Sequence, residues 1–278
     1  MSVRHTWRVL RKHPRIIVGG LILLTVVTLA LLAPVLAPHD PTDQELELAL
    51  RGRAPGYPLG TDEFGRCMWS RLLYGARISL VVGVVAVGIG AVVGGAAGLL
   101  AGLYGGWLDS VVMRVMDVML AVPGILLAIA VVAALGPGMF NVMLAVGISS
   151  VPTYARLVRG SVLSVRETEY VEAARALGAR MDRVALRHVV PNVVAPALVV
   201  ASMQMGSAIL AAAGLSFVGL GAQAPTPEWG AMLSRGREFL RIAPHVATYP
   251  GLAIFITVMG FNFFGDGLRD LLDPRLKF

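Results

Sequence analysis

Few side chains in this sequence have the type and spacing needed for covalent or acid–base chemistry. Its five histidines (His5, His13, His39, His188 and His245) fall at no ligand spacing, and Cys67 is the single cysteine, so neither an intrachain disulfide nor a classical zinc site is available. The chain has no Gly-x-x-x-x-Gly-Lys-[Ser/Thr] loop, and its lysines are Lys12 and Lys277 alone, so it cannot cradle a nucleoside triphosphate in that way. What it does carry is a set of uncharged polar residues inside long apolar runs: Asn141, Ser149, Ser150, Ser202, Gln204, Ser207, Thr257 and Asn262. Such groups are costly in hydrocarbon. They must face another helix or a water-filled path, where the chemistry open to them is hydrogen bonding. No His, Asp or Glu occupies the central part of any run, which disfavours an intramembrane hydrolase and a proton-driven carrier.

A second constellation lies between Arg166 and Pro191, where charges of both signs alternate with apolar residues. Helical spacing puts Tyr170, Ala174 and Leu177 on one face of a short helix, and Met181, Val184, Ala185 and Val189 on one face of another. Gly178 can supply the turn between them, and Ser164 with Glu167 has the spacing of a capping box. Two such helices can lie on a bilayer or dock into a partner's groove. Because Glu167, Glu169, Glu172 and Asp182 interrupt the basic residues, docking is favoured over a lipid surface.

The elements that position these residues follow from composition. With 56% hydrophobic and 15% charged residues over 278 positions, the chain cannot cover a water-soluble surface, for which about 25% charged is usual. Six apolar runs of spanning length occur, at 16–36, 78–103, 111–135, 139–158, 193–213 and about 247–264. Five basic residues precede the first run without an acid, which places the N-terminus inside. Six spans then return the C-terminus to the same side. Sixteen basic residues fall inside and eight outside, and the formal charge of +7 belongs wholly to the inner segments. Topology thus accounts for the charge, and nucleic-acid binding is not implied. Two hydrophilic insertions stand out, an outer one from about Pro38 to Arg77 and an inner one from about Ala155 to Pro191.

Within the spans, Ala86, Gly90, Gly94, Gly98 and Gly102 recur every four residues, a stripe suited to close helix packing. Arg114 and Asp117 are spaced for an interfacial ion pair, and Pro123 and Pro152 for bends. Tyr104–Ser110 and Gly136-Pro-Gly138 suit tight helical hairpins.

Glu172-Ala173-Ala174, then Leu177-Gly178, then Pro191 resembles the EAA loop of permease subunits of bacterial ABC importers. Arg187–Asn192 is similar to the form that this loop takes in the peptide branch. The blocks Leu59–Arg66, Ser70–Arg77, Tyr154–Arg159, Leu215–Gly221, Pro225–Gly230 and Gly265–Pro274 resemble, in the same order, the second permease of dipeptide and oligopeptide importers. Ala212 stands where many peptide-branch members carry a glutamate, and relatives importing nickel chelates, glutathione or opines share most of the other blocks.

The resemblance implies an all-α polytopic membrane protein with six transmembrane helices in the type I importer permease fold. It implies residues 1–77 as N-terminal tail, first helix and external insertion, and 78–278 as a five-helix core with its coupling loop at about 155–191. The chain would be no enzyme. ATP and magnesium would belong to two partner ATPase subunits, with a homologous permease and an extracytoplasmic binding protein completing the complex in the bacterial inner membrane. Glu172, Ala173, Ala174, Leu177, Gly178 and Pro191 would couple to the ATPase, while Asn141, Ser149, Ser202, Gln204, Ser207 and Asn262 are candidates for the translocation path. A self-sufficient channel or secondary carrier is the distant alternative, disfavoured by the lack of a filter, a charge relay or inverted repeats.

Overall fold

The computed structural model describes residues 14–272. Arg4, Arg8, Arg11 and Lys12, on which the inside placement of the N-terminus rests, and Arg275 and Lys277 of the tail lie outside the described residues. The chain forms α1 (Pro14–Leu31), α2 (Met68–Tyr104), α3 (Gly106–Ala121), α4 (Gly124–Leu135), α5 (Met139–Arg166), α6 (Glu169–Ala176), α7 (Met181–Phe217), α8 (Trp229–Gly236) and α9 (His245–Leu272). Among the described residues the extended pairing is limited to two isolated bridges, Ala54 with Tyr57 and Thr61 with Cys67.

The six apolar runs map onto α1, α2, α3 with α4, α5, α7 and α9. Four of these, α1, α2, α7 and α9, are long and apolar enough to cross a membrane unaided. The third run is not one straight helix, because α3 and α4 meet at 92°. Pro123 lacks an amide hydrogen and drives the residue before it out of the helical region; Val122 is accordingly extended, at φ −98° and ψ 130°. The fourth run, α5, carries Asn141, Ser149, Ser150, Pro152 and Thr153, and falls short of spanning apolarity by composition. It tolerates them because α2, α3, α4 and α7 pack around it. The second helix starts at Met68, ten residues ahead of the expected start at Ile78, and runs unbroken past Arg77.

The glycine stripe of α2 lies against α5. A methyl group at Gly90 would collide with Ser150, one at Gly94 with Val151, one at Gly98 with the Ala155 carbonyl, and one at Gly102 would come within 2.8 Å of Val162. At Gly94 and Gly98 the backbones therefore approach with no side chain between them, the arrangement expected of a small-xxx-small stripe. A π-helical turn at Gly90–Gly94 keeps the stripe in register with its partner. The central apolar core adds Val82, Ala86, Val142, Ala145, Ala208, Ala212 and Leu215 from α2, α5 and α7. Ala212 is 3% exposed and packs in that core.

On the insertion side, a buried ionic knot closes the fold. Asp62 accepts from the Phe64 and Arg66 amides through Oδ1 at 2.9 and 3.0 Å, and from Arg66 Nε through Oδ2 at 2.6 Å. Arg71 donates to the carbonyls of Pro41 and Pro225 at 2.8 and 3.2 Å, tying the insertion and the segment before α8 to the first turn of α2. Cys67, Asp62, Arg66 and Arg71 are all buried.

Candidate coupling loop and polar face

The inner insertion is built on one anchor. Val171 is fully buried against Val162 of α5 and Val184 and Val189 of α7. Tyr170, Ala174 and Leu177, the face expected to pack, do not bury together: Tyr170 is exposed and Leu177 is 89% exposed. The 3.6-residue period allows either face, and the docking surface on α5 and α7 selects Val171. The second expected face is correct, with Val184, Ala185 and Val189 buried and Met181 half-buried. It does not belong to a separate helix, because Met181–Val184 runs through a π-helical turn at Ala185–Val189 into α7. The expected Ser164–Glu167 capping box is absent. Thr168 takes the N-cap position of α6, and its hydroxyl donates to the Val165 carbonyl at 2.6 Å.

Gly178 terminates α6 in the left-handed region at φ +81°. The Ala179 amide donates to the Ala174 carbonyl at 3.1 Å and the Gly178 amide to the Arg175 carbonyl at 2.9 Å, the paired bonds of a Schellman ending. A side chain at 178 would meet no neighbour, so the glycine is set by backbone conformation and not by space. Beyond the turn, Asn192 donates to the Tyr170 hydroxyl at 3.2 Å and to the His188 carbonyl at 2.6 Å, with the Tyr170 and His188 rings 5.9 Å apart. This Tyr–His–Asn cluster fastens the loop to the start of α7, a role for His188 that spacing alone did not reveal. Glu172, Ala173, Leu177, Gly178 and Pro191 are left exposed, together with Leu186, which the sequence reading missed.

The polar residues inside the spans divide into two groups. Asn141 donates to the Leu135 and Gly136 carbonyls at 3.1 and 2.9 Å and so caps the end of α4. Ser149 donates to the Val146 carbonyl at 2.8 Å, Ser150 to Gly147 at 2.7 Å and Ser202 to Val199 at 2.7 Å, each within its own helix. Thr257 is buried and bonds the Ala253 carbonyl at 2.8 Å. Ser207 and Asn262, in contrast, are exposed, and Gln204 is half-buried. A methyl at Gly206 would sit 3.4 Å from Asn262 Oδ1, so Ser207 and Asn262 belong to neighbouring stretches of α7 and α9. The expected pair Arg114–Asp117 does not form. Asp117 accepts instead from Arg156 of α5 at 2.6 Å, because the 92° elbow lays α3 beside that helix.

Near the insertion side, Glu228 is buried and caps α8, accepting from the Gly230 and Ala231 amides at 2.9 and 2.8 Å. Loss of solvent pushes its carboxyl above the ordinary glutamate value, and the cap bonds oppose that shift. The Trp229 indole donates to the Leu72 carbonyl at 3.0 Å, locking α8 onto α2.

Known proteins share this architecture and sequence. Residues 94–278 match the family described as binding-protein-dependent transport system inner membrane component, and residues 3–55 match the N-terminal transmembrane domain of oligopeptide transport permease C. The glutathione transport system permease protein GsiD of Pectobacterium atrosepticum is 48% identical over 99% of this chain and 93% of its own length. The dipeptide transport system permease protein DppC of Alkalihalophilus pseudofirmus is 46% identical over 99% of this chain and 90% of its own. Among solved structures, an inward-facing form of the MetNI methionine ABC transporter superposes with a TM-score of 0.60 at 21% identity, covering 74% of this chain and 98% of the transporter chain. That likeness carries the type I permease fold. An all-helical bundle whose polar residues are mostly spent on its own backbone, with an exposed Glu-Ala-Ala…Gly loop at one end, is what a passive transport subunit requires, and the chain belongs to the inner-membrane permease family of binding-protein-dependent ABC importers.

Proposed function

We propose that this chain forms half of the path by which short peptides, glutathione among them, enter the bacterial cytoplasm. The other half would be a homologous permease, and the energy would come from ATP and magnesium on two ATPase subunits. An extracytoplasmic binding protein would deliver the solute to the end bearing the insertion. The termini and α6 would lie in the cytoplasm, the arrangement favoured by sixteen basic residues on that side against eight on the other. The peptide substrate class is supported by the dipeptide and glutathione permeases that match nearly the whole chain.

The observation that carries the coupling role is the exposure of Glu172, Ala173, Leu177 and Gly178 on a short helix held by a single buried valine. Ala174 is half-buried behind them and Pro191 is exposed beside the start of α7. Leaving leucine almost wholly in water is unfavourable, and a partner's groove would remove that cost. ATPase closure would move α6, and with it α5 and α7, between inward- and outward-open arrangements. Ser207 and Asn262, with Gln204 near them, offer hydrogen bonds to a peptide in the path, while Asn141, Ser149 and Ser202 shape the helices that line it.

The test is reconstitution of the complete importer with its binding protein. Replacement of Glu172 or Gly178 should abolish uptake and the stimulation of ATP hydrolysis by loaded binding protein, with the affinity of the isolated binding protein unchanged. Normal uptake by a Gly178 variant would overturn the coupling assignment.

A further inference from the structure

Helices α1 and α9 touch along only part of their length. A side chain at Gly19 would collide with the backbone of α9 at Gly260 and Phe264, and one at Gly267 would collide with Ile16, so glycines bring the two helices into backbone contact toward the start of α1. Farther along α1 they part, and a crevice of about 480 Å³ opens between α1, the first turns of α2 and the first half of α9. Leu21 and Leu29 of α1, Trp69 and Ala76 of α2, and Tyr249 and Ile256 of α9 mark its extent.

The crevice is hydrocarbon-lined although it contains hydroxyl and indole groups, because most of these are already satisfied. Thr25 donates to the Leu21 carbonyl at 2.9 Å, Thr257 to Ala253 at 2.8 Å, Trp69 to Leu36 at 3.2 Å and Trp229 to Leu72 at 3.0 Å. From Leu21 to Leu29 its length is about 12 Å at 1.5 Å per residue. That is most of one leaflet's half of a hydrocarbon core of roughly 30 Å, and far less than a spanning helix from another subunit would occupy. Tyr249, one turn into α9, and Trp69 stand at the end nearer the insertion, the level at which aromatic residues meet lipid ester groups. Trp69 also lines a second cavity of about 720 Å³ in the insertion, which contains Arg53. Arg53 is exposed and makes no ion pair among the described residues.

An apolar slot one leaflet deep, with aromatic residues at its mouth and an unpaired cation above, has the chemical profile of a membrane amphiphile. We propose that it binds a phospholipid of the leaflet on the insertion side, with one acyl chain between α1 and α9 and an anionic headgroup at Arg53. The lipid would fill the gap that the glycine contacts leave open and hold α1 at a fixed angle to the core.

Native mass spectrometry of the assembled importer, incubated in detergent with dioleoyl phosphatidylglycerol or dioleoyl phosphatidylcholine, tests this without reference to transport. The wild type should retain phosphatidylglycerol in preference to phosphatidylcholine. Ala253→Phe and Thr25→Phe, which fill the slot from α9 and from the exposed side of α1, should each lower retention about tenfold. Arg53→Gln should retain both lipids equally. The two filling variants back each other should one fail to co-purify with its partners. The proposal is overturned if a filled variant that still assembles keeps phosphatidylglycerol at the wild-type level, or if the wild type shows no headgroup preference. It is equally overturned if Leu252→Cys cross-links to the homologous permease across the slot. None of these results depends on which solute the importer carries.

Discussion

Arg159 of α5 grips both carboxylate oxygens of Asp109 on α3, Nε to Oδ1 at 2.5 Å and Nη2 to Oδ2 at 2.6 Å. Arg156, about one turn away on the same helix, holds Asp117 at 2.6 Å. Together the two pairs cross-tie α3 to the central helix on one side of the elbow at Pro123, which has no amide hydrogen to carry the helix through.

The two ties should differ in strength. The Asp109 pair is bidentate, with side chains 32% and 20% exposed, whereas the Asp117 pair makes a single bond with side chains 52% and 50% exposed. Asp117→Asn should therefore cost about 0.5 kcal/mol or less, and Asp109→Asn clearly more. Thermal unfolding of the detergent-solubilised complex would rank them, and equal losses would contradict the geometry.

The glycine ladder gives a sharper contrast. Gly98→Ala must push a methyl into the Ala155 carbonyl, while the methyl of Gly95→Ala would meet only Val158 at 3.9 Å, an ordinary contact. The first should destabilise by about 1–3 kcal/mol through overpacking and the second should be near neutral. Melting temperature and yield of membrane-extracted protein are the readouts.

Glu228 predicts a pH dependence. Its folded carboxyl is raised above the ordinary glutamate value of 4.5, chiefly by burial. The folded state thus binds this proton more tightly than the unfolded chain does. The stabilisation is complete below 4.5 and is lost as pH rises through the folded value. Glu228→Gln should flatten that part of the stability-against-pH curve, and a curve unchanged by the substitution would show that Glu228 does not titrate there.

For the polar face, Ser207→Trp and Asn262→Trp should block uptake while leaving basal ATP hydrolysis intact, since both side chains are exposed on helices whose packing they do not support. Asn141→Ala should lower stability instead, by about 1 kcal/mol, because it removes a cap from α4. Paired uptake and unfolding measurements separate the two effects.

Much of this architecture can be read from residue order. Apolar length locates the spans, the four-residue recurrence of glycine finds the α2–α5 contact, and Gly178 marks the turn after α6. Other features depend on partners distant in sequence. Nothing near Asp117 indicates that Arg156 lies closer to it than Arg114, because that follows from the angle at Pro123. Periodicity likewise could not choose between Val171 and Leu177, since the choice is made by the valines of α5 and α7. The acid–base pattern of Thr61–Arg66 did carry a signal of its own. Asp62 and Arg66 have the spacing of a local pair, and they turn inward as a structural knot.

The close approach of α2 and α5 has a mechanical consequence. With the Val151 and Ala155 carbonyls seated against Gly94 and Gly98, and the Ser150 and Val162 side chains against Gly90 and Gly102, the stripe leaves little that can shear, and sliding would have to proceed in whole-turn steps of about 5.4 Å. The pair therefore acts as a single push-rod. One end, at Arg166, adjoins the loop that bears Glu172, and the other, at Arg71, is bolted into the Asp62 knot. If the loop is displaced as proposed, the motion would be delivered to the opposite end of the protein without being absorbed on the way.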